Sequence, residues 1–257
     1  MKPAPRIQLS RFVSIPFATL IYALSGAVVG ASAFPSALVV IWAARILLPQ
    51  ATAGRIILFC LAAGGALYLL FFCGLLLTGL LMRVLSAGVW PGRHRLFSGA
   101  GAMWMAMNGV QAIASRLFLP AVPGGYIPTM YFRLAGCRIG RDVWIVAATI
   151  LDPHLVSIGD GTVIGGEVVL VPHIAGGTEV IFGSIRIGKD CRIGAHSVIC
   201  AHSVICAGVT IGDGASVGIR AFLRKGTTVP PGAHVAAIGG MAPRDVVGLE
   251  KGRRNRS

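Results

Sequence analysis

Acidic residues are scarce in this sequence, and two long stretches carry no charge at all. The chain has 9 Asp and Glu against 23 Lys and Arg. No charged residue occurs from Phe12 to Ala44 or from Ile56 to Met82. A helix that crosses a hydrocarbon core needs about 20 apolar residues, and either stretch provides them. The lack of charge excludes a wholly water-exposed N-terminal half and predicts a membrane anchor over residues 1–98, with spans at about 12–44 and 56–82.

The two spans differ in regularity. The first run carries Pro16 and Pro35, so it predicts either a kinked helix or a broken re-entrant pair. A secretory signal peptide fits poorly, because its apolar region would be only about 7 to 15 residues long. Basic residues near the spans favour both ends inside. The expected location is therefore a bacterial cell inner membrane, crossed more than once, with the C-terminal domain facing the cytoplasm.

The excess of basic residues gives a formal net charge of +14. Nucleic acid is not an expected partner, because no aromatic-interleaved basic strand or recognition helix accompanies the charge. Membrane lipid is the expected partner, since much of the charge flanks the spans or lies in the basic C-terminal tail, residues 241–257. The six cysteines show no spacing that demands a disulfide framework.

A period of six residues dominates the C-terminal half. Neither a 3.6-residue helix nor an alternating strand produces that period, whereas a parallel β-helix needs one inward aliphatic residue per short segment. Small residues that suit tight corners accompany the aliphatic ones. The pattern predicts an all-β domain over residues 137–240. Its aliphatic positions are Ile139, Ile145, Leu151, Ile158, Ile164 and Leu170, with a one-residue slip at Ser157, and then Ile187, Ile193, Ile199, Ile205, Ile211, Val217, Leu223, Val229 and Val235.

The period is interrupted between Leu170 and Ile187. The intervening VPHIAGGTEVIFGSIR is too long for one hexad, so residues 173–186 should leave the solenoid as an excursion loop, where function often lies. The tandem AHSVIC-AHSVIC over residues 195–206 has two explanations, a metal signature or the duplication of one structural hexad, and the second is favoured.

Residues 99–136 connect the anchor to the repeats. Apolar residues from Ala100 to Leu119 have near-helical spacing, interrupted by Asn108, Gln111 and Arg116. The pattern predicts an interfacial helix followed by a linker. The alternative is a third span, in which those polar residues would be costly unless neighbouring helices sheltered them.

The repeats IGDGTVIG and AGVTIGDGASVG resemble those of the hexapeptide-repeat acyltransferase superfamily, whose fold is a left-handed parallel β-helix with three hexads per coil. More narrowly, GVWPGRHRLFS, YFRLAGCRIGRDVWI and SIRIGKDCRIGAHSVI resemble the C-terminal membrane region of ε-poly-lysine synthetase-like proteins. This second resemblance covers most of the chain from about Gly88 onward. No adenylation or carrier domain is present in this sequence.

The superfamily resemblance implies transfer of an acyl group from a thioester, usually acyl-CoA, to a hydroxyl or amine, with a loop histidine as general base. His173 stands where that histidine falls, and a solvated corner histidine is the alternative. Glu179, on the same loop, is a candidate to orient His173 or to bind the acceptor. The acceptor would be a small molecule or a lipid-linked group. No metal is expected.

For the donor, the resemblance points to Arg224 and Lys225 in FLRKGTTVPPGAHV, where cations suit CoA phosphates; a solvated corner lysine is the alternative. It also implies a homotrimer, and a carrier-protein thioester remains a second possible donor. Spacing suggests a column of His154, His173 and His202 that Arg220 continues. That column would be a proton-handling and anion-binding strip, a metal site, or a row of exposed corner residues.

Two rival functions follow from the same fold. A γ-carbonic-anhydrase-like hydratase would hold zinc with three histidines. Its paired pattern does not match, because His196 and His202 repeat one corner position six residues apart. The other rival is a membrane-held scaffold without catalysis, which loss of the donor site would favour.

Overall fold

The structure is a computed structural model that describes residues 11–49, 52–122, 124–200, 208–224 and 226–236. These residues divide into two compact units. The first lies within residues 1–137 and 175–180, and the second lies within residues 138–174 and 181–257. The first unit is mainly helical, and the second is built almost entirely of short parallel strands.

Two long helices open the first unit, α1 (Arg11–Leu47) and α2 (Ala53–Ser86). Residues Tyr22–Leu47 of α1 and all of α2 are long and apolar enough to cross a membrane, with mean hydropathies of 1.9 and 2.5. The first apolar run forms one continuous helix that includes Pro35. The predicted broken re-entrant pair is therefore not formed.

Small residues on α2 allow other helical segments to approach its backbone closely. A Cβ added at Gly74 would overlap the ring of Phe118, and one at Gly79 would lie 2.8 Å from a methyl carbon of Leu134. Thr78 donates its hydroxyl to the Gly74 carbonyl at 2.6 Å, which satisfies this polar side chain locally. Such small-residue contacts are typical of helices packed in a membrane.

The remaining helical segments follow α2. Strand β1 (Gly92–Arg95) precedes α3 (Gly99–Ile113), which continues into a π-helical turn, Ala114–Phe118, and a short 3₁₀ turn, Leu119–Ala121. The predicted linker contains a further helix, α4 (Tyr126–Leu134). Helix α3 buries Trp104, Met107, Val110 and Gln111 within the first unit.

The second unit is a parallel β-helix in which each coil contributes one strand to each of three sheets. All pairs of neighbouring strands in these sheets are parallel. The first sheet contains β2 (Arg138–Ile139), β5 (Val156–Ile158), β10 (Ile185–Ile187), β13 (Thr210–Ile211) and β16 (Thr228–Val229). The second contains β3 (Trp144–Ile145), β6 (Val163–Ile164), β11 (Arg192–Ile193), β14 (Ser216–Val217) and β17 (His234–Val235). The third contains β4 (Thr149–Ile150), β7 (Val169–Val171), β12 (Val198–Cys200) and β15 (Phe222–Leu223).

One inward aliphatic residue per strand builds the core of this unit. In the third sheet, Ile150, Leu170, Ile199 and Leu223 stand in register and are each 0% exposed. Burying such a side chain contributes about 1.5–3 kcal/mol. The predicted six-residue period thus corresponds to the stacked interior of a left-handed β-helix.

Small polar side chains at the corners connect successive coils. Thr162 donates its hydroxyl to the Gly188 carbonyl at 2.8 Å, and Ser197 donates to the Gly218 carbonyl at 2.8 Å. Both side chains are fully buried, so these bonds satisfy groups that would otherwise be costly. The small residues expected at tight corners therefore include hydrogen-bond donors to the next coil.

The register differs from the predicted one at two places. Ile150, and not Leu151, pairs with Leu170, because the chain turns through a 3₁₀ segment directly afterwards. Ile187 pairs with Ile211, and the corner bond between Lys189 and Asp213 likewise spans 24 residues, whereas Ser216 and His234 in the next coil are 18 apart. The coil after Ile187 thus contains one extra hexad. The residue beside Ile187 is Ile211, whereas three hexads per coil would put Ile205 there; Ile205, with the rest of residues 201–207, lies outside those that the structure describes.

The predicted excursion after Leu170 is a β-hairpin. Strands β8 (His173–Gly176) and β9 (Glu179–Phe182) are joined by a turn in which Gly177 has φ +63°. Together with β1 they form a three-stranded sheet of order β1–β9–β8. Beside this strand pairing, the Leu96 N–H donates to the Thr178 carbonyl at 2.8 Å.

Candidate active site

His173 lies at the point where the chain leaves the third sheet. It is the first residue of β8 and follows β7 after a single proline, Pro172. The Gly183 N–H donates to the Pro172 carbonyl at 2.8 Å, which closes the base of the hairpin. The side chain is 13% exposed. The hairpin base thus fixes the backbone on both sides of a largely buried imidazole.

Asp152 lies one coil earlier, where β4 ends. Its backbone is left-handed, with φ +45° and ψ +61°, and it begins the 3₁₀ turn Pro153–Leu155. The left-handed conformation costs roughly 1–2 kcal/mol for most residues, and Asp tolerates it better than most. The side chain is only 3% exposed. A buried carboxylate on an unfavourable backbone conformation points to a function at this corner.

The two side chains meet at short range. Asp152 Oδ2 lies 2.5 Å from His173 Nδ1. The strands that carry them pair directly, and the Leu151 N–H donates to the Leu170 carbonyl at 2.9 Å just before the two residues. Adjacent coils of the third sheet therefore bring a carboxylate and an imidazole together at one corner.

This pairing determines what the imidazole can do. A carboxylate accepts hydrogen bonds only, so Nδ1 carries the proton and donates a hydrogen bond to Asp152. The neutral ring then has its lone pair on Nε2, as in carboxylate–histidine pairs that act as general bases. When Nε2 takes a proton, the buried carboxylate stabilises the resulting imidazolium.

The Glu179 carboxylate forms an ion pair with Arg93, with Nη1 and Oε2 3.2 Å apart and the Glu179 and Arg93 side chains 40% and 56% exposed. The orienting partner that the structure shows at His173 is Asp152, and the other role predicted for Glu179, binding the acceptor, stays a prediction. Sequence reasoning missed Asp152 because the predicted register placed the aliphatic position at Leu151 and directed attention to His154. The available signal was an Asp-Pro pair that interrupts the hexads one coil before His173.

Arg220 does not continue a column above His173. It lies in the turn after β14, a strand of the second sheet, and its N–H donates to the Ala195 carbonyl at 3.0 Å, so it stands over the corner of His196. The prediction failed because the extra hexad after Ile187 moves Leu223, and not Val217, into register with Ile199.

Arg224 follows a strand of the third sheet, the sheet whose strands precede Asp152 and His173. It follows β15, which is two strands away from β7 in the third sheet, so the strands are roughly 10 Å apart at 4.7–4.9 Å per step. Its side chain is exposed. Lys225, the other predicted donor contact, lies outside the described residues.

Of the other histidines in the predicted column, only His154 lies among the described residues. His154 lies in the 3₁₀ turn after Asp152, and His202 lies outside the described residues. Within the described ranges, no group of three or more His, Cys, Asp or Glu side chains is arranged to hold a metal ion. The Nδ1 atom of His173 is also engaged by Asp152.

A second carboxylate–imidazole pair lies on another corner. His196 Nδ1 is 3.1 Å from Glu167 Oε2, and both residues have left-handed backbones, with φ +58° and +56°. Their side chains are 50% and 73% exposed. Solvent screens such a pair, so it contributes little to stability. Burial distinguishes the Asp152–His173 pair from this one.

Comparisons with known proteins agree with the resemblance inferred from the repeats. Delta-poly-L-ornithine synthetase from Acinetobacter baumannii is 29% identical over 108 residues, which cover 42% of this chain and 8% of that protein. A hexapeptide-repeat acetyltransferase from Vibrio cholerae is 27% identical, with a TM-score of 0.35, and the match covers 40% of this chain and 58% of that one. No protein-family model matches the chain.

An N-acyltransferase from Bacillus cereus, in complex with dTDP and coenzyme A, is 22% identical, with a TM-score of 0.31, and the match covers 39% of this chain and 47% of that one. The superpositions score too low to define the fold, which follows from the strand pairing described above. The chain spans a small part of the synthetase and little more than half of the Vibrio protein. By name these relatives are a hexapeptide-repeat acetyltransferase, an N-acyltransferase and an amino-acid polymer synthetase.

Proposed function

We propose that this protein is a membrane-anchored acyltransferase that moves an acyl group from a thioester to a hydroxyl or amine. The observation that carries the proposal is the buried pair of Asp152 and His173, 2.5 Å apart at a corner of the β-helix. The pair provides a general base with a fixed tautomer. Such a base is needed to remove a proton from the hydroxyl or amine that attacks the thioester.

The reaction needs no covalent enzyme intermediate. His173 Nε2 removes the proton from the acceptor's O–H or N–H as that atom attacks the thioester carbonyl, forming a tetrahedral intermediate. The intermediate collapses, the C–S bond breaks, and the thiolate takes the proton from the imidazolium. The products are an ester or amide and a free thiol. Asp152 holds the ring and stabilises its positive charge between the two proton transfers.

Acyl-CoA is the donor that we propose, because the repeats resemble those of the hexapeptide-repeat acyltransferase superfamily. Arg224 and Lys225 are the proposed contacts to its phosphates, because guanidinium and ammonium groups bind phosphate oxygens strongly. A carrier-protein thioester is the alternative donor, favoured by the similarity to a poly-ornithine synthetase. Calorimetric titration with acetyl-CoA and with 3′-dephospho-acetyl-CoA, using wild type and Lys225→Ala, distinguishes them. Binding weakened by both changes supports CoA, and no binding by folded protein favours the carrier or a scaffold without catalysis.

The proposed location is the cell inner membrane, with α1 and α2 as spans and the β-helix in the cytoplasm. The supporting observation is the length and apolar composition of both helices. The acceptor is then a polar molecule made at the inner leaflet, either small or lipid-linked. Thr228→Cys places a thiol on an exposed strand position. An impermeant maleimide should label this thiol only after cells are permeabilised. Labelling in intact cells would place the β-helix outside the cytoplasm and contradict the proposed topology.

We also propose a homotrimer. Outward-facing side chains of the third sheet are mostly apolar, and Phe222 among them is 39% exposed. Such a face suits burial against a second copy of the chain. Sedimentation of wild type and Phe222→Glu in detergent tests it. A wild-type monomer, or a trimer that the glutamate leaves intact, would contradict the assignment of this face.

A further inference from the structure

Residues 87–98 join α2 to α3 and form the juxtamembrane segment, whose backbone is held in place by close contacts. A Cβ added at Gly88 would overlap Met103 of α3, and one at Gly101 would overlap the carbonyl oxygen of Leu96. Ser98 donates its hydroxyl to the Arg95 carbonyl at 2.7 Å and caps α3. The backbone of this segment therefore lies close to α3 near both of its ends.

Large apolar and cationic side chains of this fixed segment nevertheless point to the outside. Trp90 and Phe97 are 57% and 55% exposed, and Arg93 and Arg95 are exposed on strand β1, where exposure alternates along the strand. The Trp90 ring packs edge-on against His94, with ring centroids 4.9 Å apart. Aromatic rings beside basic residues at the end of an apolar helix are typical of a membrane–water interface.

The charge of the helical unit is almost uncompensated. No Asp or Glu occurs before Asp142 in the sequence. The unit's only carboxylate is therefore Glu179, which comes from the 175–180 segment and forms an ion pair with Arg93. Arg95, in contrast, has no ion pair among the described residues. An exposed guanidinium of this kind can bind an anionic group such as a phosphate.

We propose that the juxtamembrane segment binds the headgroup of an anionic phospholipid. Arg95 contacts the phosphate, Arg93 adds charge while retaining Glu179, and Trp90 and Phe97 lie at the boundary between headgroups and acyl chains. A soluble phosphate ion would leave the two exposed aromatic side chains without a function, so the lipid is the occupant that the chemistry favours. The inference rests on the proposed membrane anchoring and is independent of acyl transfer.

The test uses the full chain, purified in detergent, stripped of lipid and titrated with dioctanoyl phosphatidylglycerol or dioctanoyl phosphatidylcholine. We expect wild type to prefer the anionic lipid. Arg95→Gln should weaken binding of phosphatidylglycerol about fivefold, since each basic residue near anionic headgroups contributes about 1 kcal/mol. Raising the salt concentration should reduce the preference. The matched control is Arg138→Gln, which removes an exposed arginine from the β-helix unit and should leave lipid binding unchanged.

Three results would overturn the proposal: equal binding of both lipids by wild type, unchanged binding in Arg95→Gln, or full competition by millimolar inorganic phosphate, which would indicate a free-phosphate site. Arg95→Gln spares the Arg93–Glu179 ion pair, and thermal unfolding checks that the variant is folded. If it is not folded, brominated phosphatidylglycerol should quench the fluorescence of wild type more than that of Trp90→Phe. Failure of acyl transfer would leave all these readouts intact, so the two proposals can fail separately.

Discussion

Asp152 and His173 are 21 residues apart in the sequence, and their side chains meet at 2.5 Å where two coils of the β-helix stack. The same chemical pair recurs on another corner as Glu167 and His196, at 3.1 Å. Only the first pair is buried. Burial removes solvent screening, so the Asp152 carboxylate can fix the tautomer of its histidine and stabilise its protonated form.

The two pairs provide a matched test of the carboxylate. Asp152→Asn should lower kcat by about 10²-fold or more with little change in KM, because the amide can no longer favour the proton on Nδ1 and stabilise the imidazolium. Glu167→Gln removes a carboxylate from an exposed pair and should leave kcat within about twofold. The measurement is steady-state transfer from [¹⁴C]acetyl-CoA to a panel of hydroxyl and amine acceptors. If the two substitutions lowered kcat equally, burial would not distinguish the Asp152–His173 pair from the Glu167–His196 pair.

Acid stability should depend on Asp160. The Arg141 N–H donates to Asp160 Oδ1 at 2.8 Å, and this bond, with Lys189 nearby, holds the pKa of the carboxyl below its ordinary value. A depressed folded-state pKa stabilises the fold above the unfolded value of about 3.9, and the contribution is lost as pH falls through the folded value. Thermal unfolding of Asp160→Asn should therefore lose less stability than wild type between pH 5 and strongly acidic pH. Parallel curves for the two proteins would contradict the assignment.

Close stacking of the coils should make Gly159 intolerant of a side chain. A Cβ there would lie 2.6 Å from backbone atoms of Gly188 and Lys189 in the next coil, which cannot move aside. We expect Gly159→Ala to destabilise the protein by about 1–3 kcal/mol, as overpacking does. Gly176→Ala is the control, because a Cβ there meets nothing within 4 Å. Thermal unfolding of both variants tests this prediction. An unchanged melting temperature for Gly159→Ala would show that the two coils are farther apart at Gly159 than the structure has them.

Buried thiols should resist alkylation. Burial raises the pKa of Cys137, and desolvation likewise raises that of Cys191, so little thiolate forms at neutral pH. Iodoacetamide at pH 7.5 should label both residues only after denaturation, as mapped by mass spectrometry. Rapid labelling of Cys137 in the folded protein would show that this residue is accessible.

The sequence predicts the fold better than it predicts the site. A period of six depends only on the stacked interior, so Ile164, Leu170 and Ile199 could be placed from it directly. The hexad count did not reveal that the coil after Ile187 contains an extra hexad, because the duplicated AHSVIC keeps the period of six. The extra hexad shifts the register by six residues. Arg220 therefore lies at the corner above His196 and not in the predicted histidine column.

The site could be predicted only in part. His173 was predicted from the superfamily resemblance, at the break in the period where the chain enters the loop, and its role as general base stays a prediction. Its partner Asp152 belongs to the preceding coil, at a corner where Ile150 replaces Leu151 as the inward residue. Such a contact depends on register between coils, and a one-residue error directs attention to His154 instead. Glu179 was chosen for proximity in sequence, but strand pairing places Arg93 beside it.

The most direct test of the central claim compares His173→Asn with His196→Asn in the same [¹⁴C]acetyl-CoA assay, with release of free CoA measured in parallel. Wild type should transfer label and release CoA in equal amounts. His173→Asn should lose about 10²–10⁴-fold of the rate, the usual contribution of a general base, while remaining folded. His196→Asn should retain the wild-type rate. Transfer at an undiminished rate by folded His173→Asn would contradict the account.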